Sequence, residues 1–244
     1  MPDRQRVLLL TGASRGIGHA TVKTFSDAGW RVVTISRQPF DPRCPWDGAK
    51  SHFMLDLADI AAVQDAMPRL RDFIGDGLDA LINNAAISPK NADGGKIGAL
   101  HMAYADWLHI FNVNFFACVV LVQGLRAQLE AAKGTVVNMT SIVGSRVHPF
   151  ASAAYATSKA ALWALTRELA ADFGRAGVRV NAVSPGEIDT GILSPGTDTI
   201  VERHIPLRRL GKPKEVADLL LFLCSSTASY ISGSEIHIDG GQRV

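Results

Sequence analysis

Short apolar runs alternate along the chain with longer stretches in which apolar positions recur at helical spacing. Continuous apolar runs of a few residues fit strands buried on both faces of a sheet. The runs predict strands near 6–11, 31–36, 51–55, 78–83, 134–140, 178–184 and 235–239. The stretches between them predict helices near 16–28, 59–74, 104–131, 153–174 and 213–225. Gly29 and Gly177 fall where a helix should end. Strict strand–helix alternation implies a parallel sheet with right-handed crossovers, wound on both faces.

Two stretches break the alternation and read as loops, 38–50 and 187–211. A loop as long as the second is usually a lid or a binding loop. No linker, internal repeat or low-complexity segment divides the 244 residues, so 1–244 reads as one domain with a lid near 187–211.

Composition narrows the function classes. Apolar residues make up 47% and charged residues 20%, which allows a large core. The net charge is only +2 and the basic residues are scattered, so nucleic acid is not an expected partner. Cys44, Cys118 and Cys224 are widely spaced and suggest neither a disulfide framework nor a metal site, but free thiols in a reducing compartment. His101, His109, His204 and His237 have no paired spacing, so no metal is expected. Neither a leader segment nor a membrane span is expected, and the location expected is the cytoplasm. Trp107, Trp163 and Phe222 read as packing residues.

The first strand runs straight into TGASRGIG, with Gly12, Gly16 and Gly18 in G-x-x-x-G-x-G spacing. Gly12 permits a sharp turn off the strand. Gly16 keeps side chains away from an approaching phosphate, and Gly18 lets the helix lie close. The helix then aims free N–H groups and its positive end at that phosphate. Ser14 adds a hydroxyl and Arg15 a cation. A bare strand-to-helix turn would explain the glycines alone, but its place at the first strand–helix junction favours a dinucleotide. Folds specific for NAD carry an acid at the end of the second strand, where it holds a ribose hydroxyl. Here Ser36 and Arg37 stand in that place. With Arg15 they suit a 2′-phosphate, which an acid would repel, so the expected cofactor is NADP(H).

Tyr155 and Lys159 lie one helical turn apart and share a face. A cation beside a tyrosine favours its phenolate and makes it a better acid–base at neutral pH. Ser141 ends the fifth strand, and strand C-termini are where open α/β sheets hold ligands. Asn114 is a polar residue within an apolar helix, and by itself it also reads as a satisfied core asparagine or a helix-kink residue.

On these residues the chain resembles the short-chain dehydrogenase/reductase family, in the branch that includes 3-oxoacyl-carrier-protein reductases. The likeness spans essentially the whole chain. It runs from TGASRGIG through LDL at Asp56 and Leu57, Asn83-Asn84-Ala85-Ala86 and Pro185-Gly186 to SGSEIHIDGG. It implies a Rossmann fold with a doubly wound, seven-stranded parallel sheet. It implies a hydride-transferring oxidoreductase acting between NADP(H) and a carbonyl or secondary alcohol. Ser141, Tyr155, Lys159 and Asn114 take the family's catalytic places. Asn114 then positions a water in a relay to Lys159, which also grips the nicotinamide ribose. The cofactor places fall on Gly12, Ser14, Arg15, Gly16, Ile17, Gly18, Ser36, Arg37, Asp56, Leu57, Asn84, Ala85, Tyr155, Lys159, Pro185, Gly186, Ile188 and Thr190. The alanine-rich helix at 151–164 and the helix at 104–131 would build one subunit contact, and the C-terminal strand a second, in a homotetramer or homodimer.

Two departures stand out. Ala86 replaces the family's usual glycine. The stretch from Ser141 to Tyr155 is about one residue longer than in many members, which puts a bulge near His148-Pro149-Phe150, where substrate sits. The pocket is expected from the loop after Ala85, from 143–150 and from the lid. Its mix of Ile188, Ile192 and Leu193 with Glu187, Asp189 and Asp198 suits a partly apolar ketone of medium size. Arg126, Arg167 and Arg208 would attract an acidic carrier protein if they cluster, and otherwise read as solvated charges. The alternative function is an NADPH-binding regulator or scaffold without turnover, which has no need for Ser141, Tyr155, Lys159 and Asn114 together. A Rossmann-like methyltransferase would leave Tyr155 and Lys159 unexplained.

Overall fold

The computed structural model describes residues 4–40, 48–190 and 196–244. The first predicted strand is β1, Val7–Thr11, buried at every position. Its side chains alternate, so Val7 and Leu9 enter one apolar cluster while Leu8 and Leu10 enter another on the opposite face. The other strands are β2 Arg31–Ser36, β3 His52–Met54, β4 Ala80–Asn83, β5 Thr135–Met139, β6 Arg179–Pro185 and β7 Glu235–Ile238. All pair in parallel, in the order β3-β2-β1-β4-β5-β6-β7. The order reverses beside β1, and a ligand crevice opens beyond the strand ends at such a switch point.

Helices cover both faces. The helix α1, Gly16–Asp27, lies against α8, Pro213–Leu223, and they cover one face. On the other face α2, Ile60–Ile74, contributes Val63, Met67, Leu70 and Ile74, and Phe173 enters from α6, Ala153–Phe173. Burial of these side chains, at about 1.5–3 kcal/mol each, supplies much of the drive to fold.

The stretch expected as one helix over 104–131 is broken. It runs as α3 Tyr104–Phe111, a π-helical turn Asn112–Phe116, α4 Ala117–Gly124 and α5 Arg126–Ala132. Helical periodicity does not register a widened turn, and the one sign of it in the sequence is Asn114, readable as a kink residue. Such turns favour functional sites, and this one carries Asn114. The break after α4 follows Gly124, where a Cβ would lie 2.6 Å from Met67 Sδ of α2. By length and composition, 104–124 is apolar enough to cross a membrane. Here it packs between α2 and α6.

The stretch 187–211 is not all loop. It contains α7, Thr197–His204, which starts after Gly196 in the left-handed region. Its ends are tied together, with Gly211 N–H donating to Glu187 O and Asp189 N–H to Gly211 O. Ile192 and Leu193 lie outside the described residues, as do Cys44 and the centre of the loop expected over 38–50. Cys118 and Cys224 are buried free thiols.

Candidate active site

The glycine turn is fixed by close backbone approach. Gly12 has φ 73°, and a Cβ there would sit 2.8 Å from Ala85 Cα. At Gly18 a Cβ would fall 2.0 Å from Gly12 O, so only glycine lets the first turn of α1 close onto the turn before it. At Gly16 the neighbour is Thr190, whose Cγ2 would be 3.0 Å from an added Cβ. The fold thus brings Thr190 to the glycine turn across the whole sequence. The N-cap of α1 is Arg15, which makes no side-chain cap, and no acid lies in the first turn. Uncapped N–H groups, a positive helix end, a glycine cradle and the exposed Arg15 and Ser14 fit a pyrophosphate.

Asn84 and Ala85 reach the same place, but the Asn84 amide is committed to the backbone. Its Nδ2 donates to Thr11 O and Gly12 O, both at 2.9 Å. The Thr11 hydroxyl accepts the N–H groups of Asn84 and Ala85, both at 3.0 Å. These bonds staple the ends of β1 and β4. No local pattern in the sequence marks Thr11 for this task.

At the end of β2, Ser36 Oγ donates to Gln38 O at 3.0 Å, and Arg37 is exposed. His52 of β3, which the sequence reading did not single out, braces this corner. Its Nδ1 lies 2.8 Å from Thr34 Oγ1 and its Nε2 2.8 Å from Gln38 O. Asp56 is exposed and accepts Ala58 N–H at 3.0 Å, which shapes the turn into α2. The Leu57 side chain is buried in the core, which leaves only its backbone for a ligand.

The polar cluster lies beyond β5. Ser141 caps the short 3₁₀ turn Ile142–Gly144. Ser152 caps α6, which sets Tyr155 in its first turn and Lys159 one turn later. Lys159 is 2% exposed, and its ammonium donates to Met139 O at 2.6 Å. It stands 5.7 Å from the centre of the Tyr155 ring. Burial pushes Lys159 down to about 8. Tyr155 moves the other way: burial raises its pKa, its hydrogen bond with Ser141 opposes that, and the Glu187 charge adds to the rise. The net direction at Tyr155 is thus upward, and the Lys159 ammonium, expected to lower it, is engaged by the Met139 carbonyl.

Asn114 is fully buried in the π-helical turn. Its Oδ1 accepts Ile87 N–H at 2.9 Å, and its Nδ2 donates to Ile87 O at 3.0 Å and to Ser158 Oγ at 3.1 Å. The side chain thus ties the chain after β4 to α6, and only its backbone is left for a relay.

Pro185 ends β6 and Gly186 follows it. A Cβ at Gly186 would lie 2.7 Å from Gln242 Oε1, so the C-terminal segment presses directly on this turn. Ile188 is buried and bridges to Gly211. Next to Gly186, Glu187 brings its Oε1 to 3.1 Å from His148 Nε2.

A family model described as enoyl-(acyl carrier protein) reductase matches residues 12–243. Protein FixR of Bradyrhizobium diazoefficiens is 52% identical over 242 residues, 98% of this chain and 87% of that protein. The 3-oxoacyl-[acyl-carrier-protein] reductase FabG of Aquifex aeolicus is 33% identical over 247 residues, 97% of this chain and 96% of that protein. Among solved structures, a Brucella ovis oxidoreductase of the short-chain dehydrogenase/reductase family, in complex with a partially ordered NAD, is 52% identical with TM-score 0.84. That match covers 96% of this chain and 100% of that one. Fold, glycine turn and relatives agree, and the chain belongs to the short-chain dehydrogenase/reductase family of oxidoreductases.

Proposed function

We propose that the chain reduces a ketone to a secondary alcohol with NADPH and runs the reverse reaction with NADP⁺. The observation that carries this reading is the convergence of Ser141, Tyr155 and Lys159 beyond the C-terminal end of β5, at the same end of the sheet as the glycine turn that follows β1. When bound, the reduced cofactor supplies the hydride. The uncapped start of α1 receives its phosphates. Thr190 and Ile188, on the strand-end turn after Pro185 and Gly186, bracket its nicotinamide end.

The protein's own chemistry is proton handling. Tyr155, whose pKa is raised by burial, keeps its proton at neutral pH and donates it to the carbonyl oxygen as charge develops there. Ser141 bonds to Tyr155 and is placed to donate to the same oxygen, which favours the developing alkoxide. Lys159 holds a positive charge beside the Tyr155 ring and, by family likeness, would grip the nicotinamide ribose. In the oxidative direction Tyr155 is the base.

The choice of NADPH rests on this chain's residues. The Brucella ovis structure holds NAD, whereas here Ser36 and Arg37 end β2 with no acid and Arg15 stands across the turn. The half-exposed edge strand β7 supports assembly as a homo-oligomer, a homotetramer by family likeness.

The test is NADPH and NADH oxidation by the purified protein across a carbonyl panel of an oxoacyl thioester, diketones, cyclic ketones and sugars, with Ser141→Ala beside the wild type. Turnover that prefers NADPH and falls in Ser141→Ala supports the reading. Tight NADPH binding with no turnover on any member would favour the regulator instead.

A further inference from the structure

Hydride and proton transfer need Ser141, Tyr155 and Lys159, but the site contains two more polar groups that this chemistry does not use. His148 lies on the long connection between Ser141 and Tyr155, and Glu187 follows Gly186 at the end of β6. Both are held firmly. Glu187 N–H donates to Gln242 Oε1 at 3.2 Å, and its carbonyl accepts Gly211 N–H at 2.9 Å. The His148 side chain is only 9% exposed. Its Nδ1 accepts Phe150 N–H at 3.3 Å, which assigns the neutral ring's proton to Nε2. Phe150 in turn lies under the start of α7, where a Cβ on Gly196 would be 3.2 Å from its ring.

The pair is close but incomplete. Nε2 sits 3.1 Å from Glu187 Oε1, yet out of line, and among the described residues it has no hydrogen-bond partner. A buried N–H left unpaired costs about 1–3 kcal/mol, so a ligand group that pairs it is favoured. The Glu187 carboxylate, a quarter exposed, is the matching acceptor, and its charge reaches Tyr155.

The site therefore offers one N–H donor and one carboxylate acceptor side by side. A hydroxyl answers both, because it donates and accepts. An ammonium only donates and leaves the His148 N–H unpaired. A carboxylate or phosphate is repelled by Glu187. A methyl group leaves both protein groups unpaired. We propose that Glu187 and His148 form a hydroxyl-recognition subsite beside Tyr155, so that the substrate is a ketone with a hydroxyl group close to its reacting carbon. The inference rests on the reductase reading and names its substrate class.

The test compares kcat/KM with NADPH for hydroxyacetone against butanone, and for acetoin against methyl isopropyl ketone, pairs that exchange a hydroxyl for a methyl. Aminoacetone and pyruvate are the ammonium and carboxylate arms. The wild type should favour the hydroxyketones by about a hundredfold or more, since sites built to bond a hydroxyl reject the analogue lacking it strongly. Glu187→Ala and His148→Phe should each collapse that ratio towards one. A wild-type ratio near one, a preference for aminoacetone or pyruvate, or a ratio that survives both substitutions would overturn the subsite, while Tyr155-dependent turnover would leave the reductase reading standing. If no ketone turns over, that reading fails, and the subsite is decided by saturation-transfer NMR on the full chain with NADP⁺. Propylene glycol should then bind in preference to sec-butanol, and Glu187→Ala should abolish the preference. Equal binding, or a preference that survives Glu187→Ala, would overturn it.

Discussion

Around Gly12, Gly16 and Gly18 the chain makes its site by leaving side chains out, whereas around Ser141, Tyr155 and Lys159 it makes its site by burying polar ones. The phosphate side consists of backbone N–H groups and a helix end, with Asn84 and Thr11 holding two strand ends in place. The reaction side depends on where a few atoms sit in a poorly solvated space, and burial moves Lys159 and Tyr155 in opposite directions. The contrast teaches that the two sides should fail differently. Damage to the first should weaken folding and cofactor affinity. Damage to the second should weaken turnover and alter pH dependence.

The sharpest way to break the comparison is Gly18→Ala. Helix propensity alone favours alanine by about 1 kcal/mol. A Cβ 2.0 Å from Gly12 O should outweigh that and cost about 3 kcal/mol or more, read as a lower urea midpoint. A neutral result would mean that the turn relaxes freely. Asn84→Ala should cost about 2 kcal/mol in the same assay, because two backbone carbonyls lose their donor. Ser36→Asp should lower the preference for NADPH over NADH by about tenfold, equivalent to about 1.4 kcal/mol, in a fluorescence titration. An unchanged preference would remove Ser36 from the 2′-phosphate site.

The effect that shows only away from neutral pH belongs to Lys159. Its pKa in the fold is about 8 against an ordinary 10.5, so the unfolded chain holds more protons between those values. Stability should therefore rise with pH through this window. Lys159→Met should flatten the rise, as read from denaturation midpoints across the range.

What was legible in the sequence follows the same division. All seven strands and the glycine turn could be read, because apolar runs and glycine spacing are local signals. Tyr155 and Lys159 were legible because one helix sets their distance. Of the π-helical turn at Asn112–Phe116 the sequence showed only Asn114, readable as a kink residue, since widening one turn changes hydrogen bonding and not composition. The helix α7 was hidden by the glycine and prolines around it. The Thr11–Asn84 staple and the brace at His52 join neighbouring strands, and no residue spacing encodes them. Glu187 and His148 were noticed separately, as a lid residue and part of a bulge. Only the return of β6 beside β5 brings them together.

The central claim is that Tyr155 supplies the proton in an NADPH-dependent reduction. Its most direct test is the rate of NADPH oxidation by Tyr155→Phe against wild type, on the best ketone of the panel, with NADPH binding measured in both. The account predicts that turnover falls by about 10²–10⁴-fold while NADPH still binds. Wild-type turnover in Tyr155→Phe would contradict it.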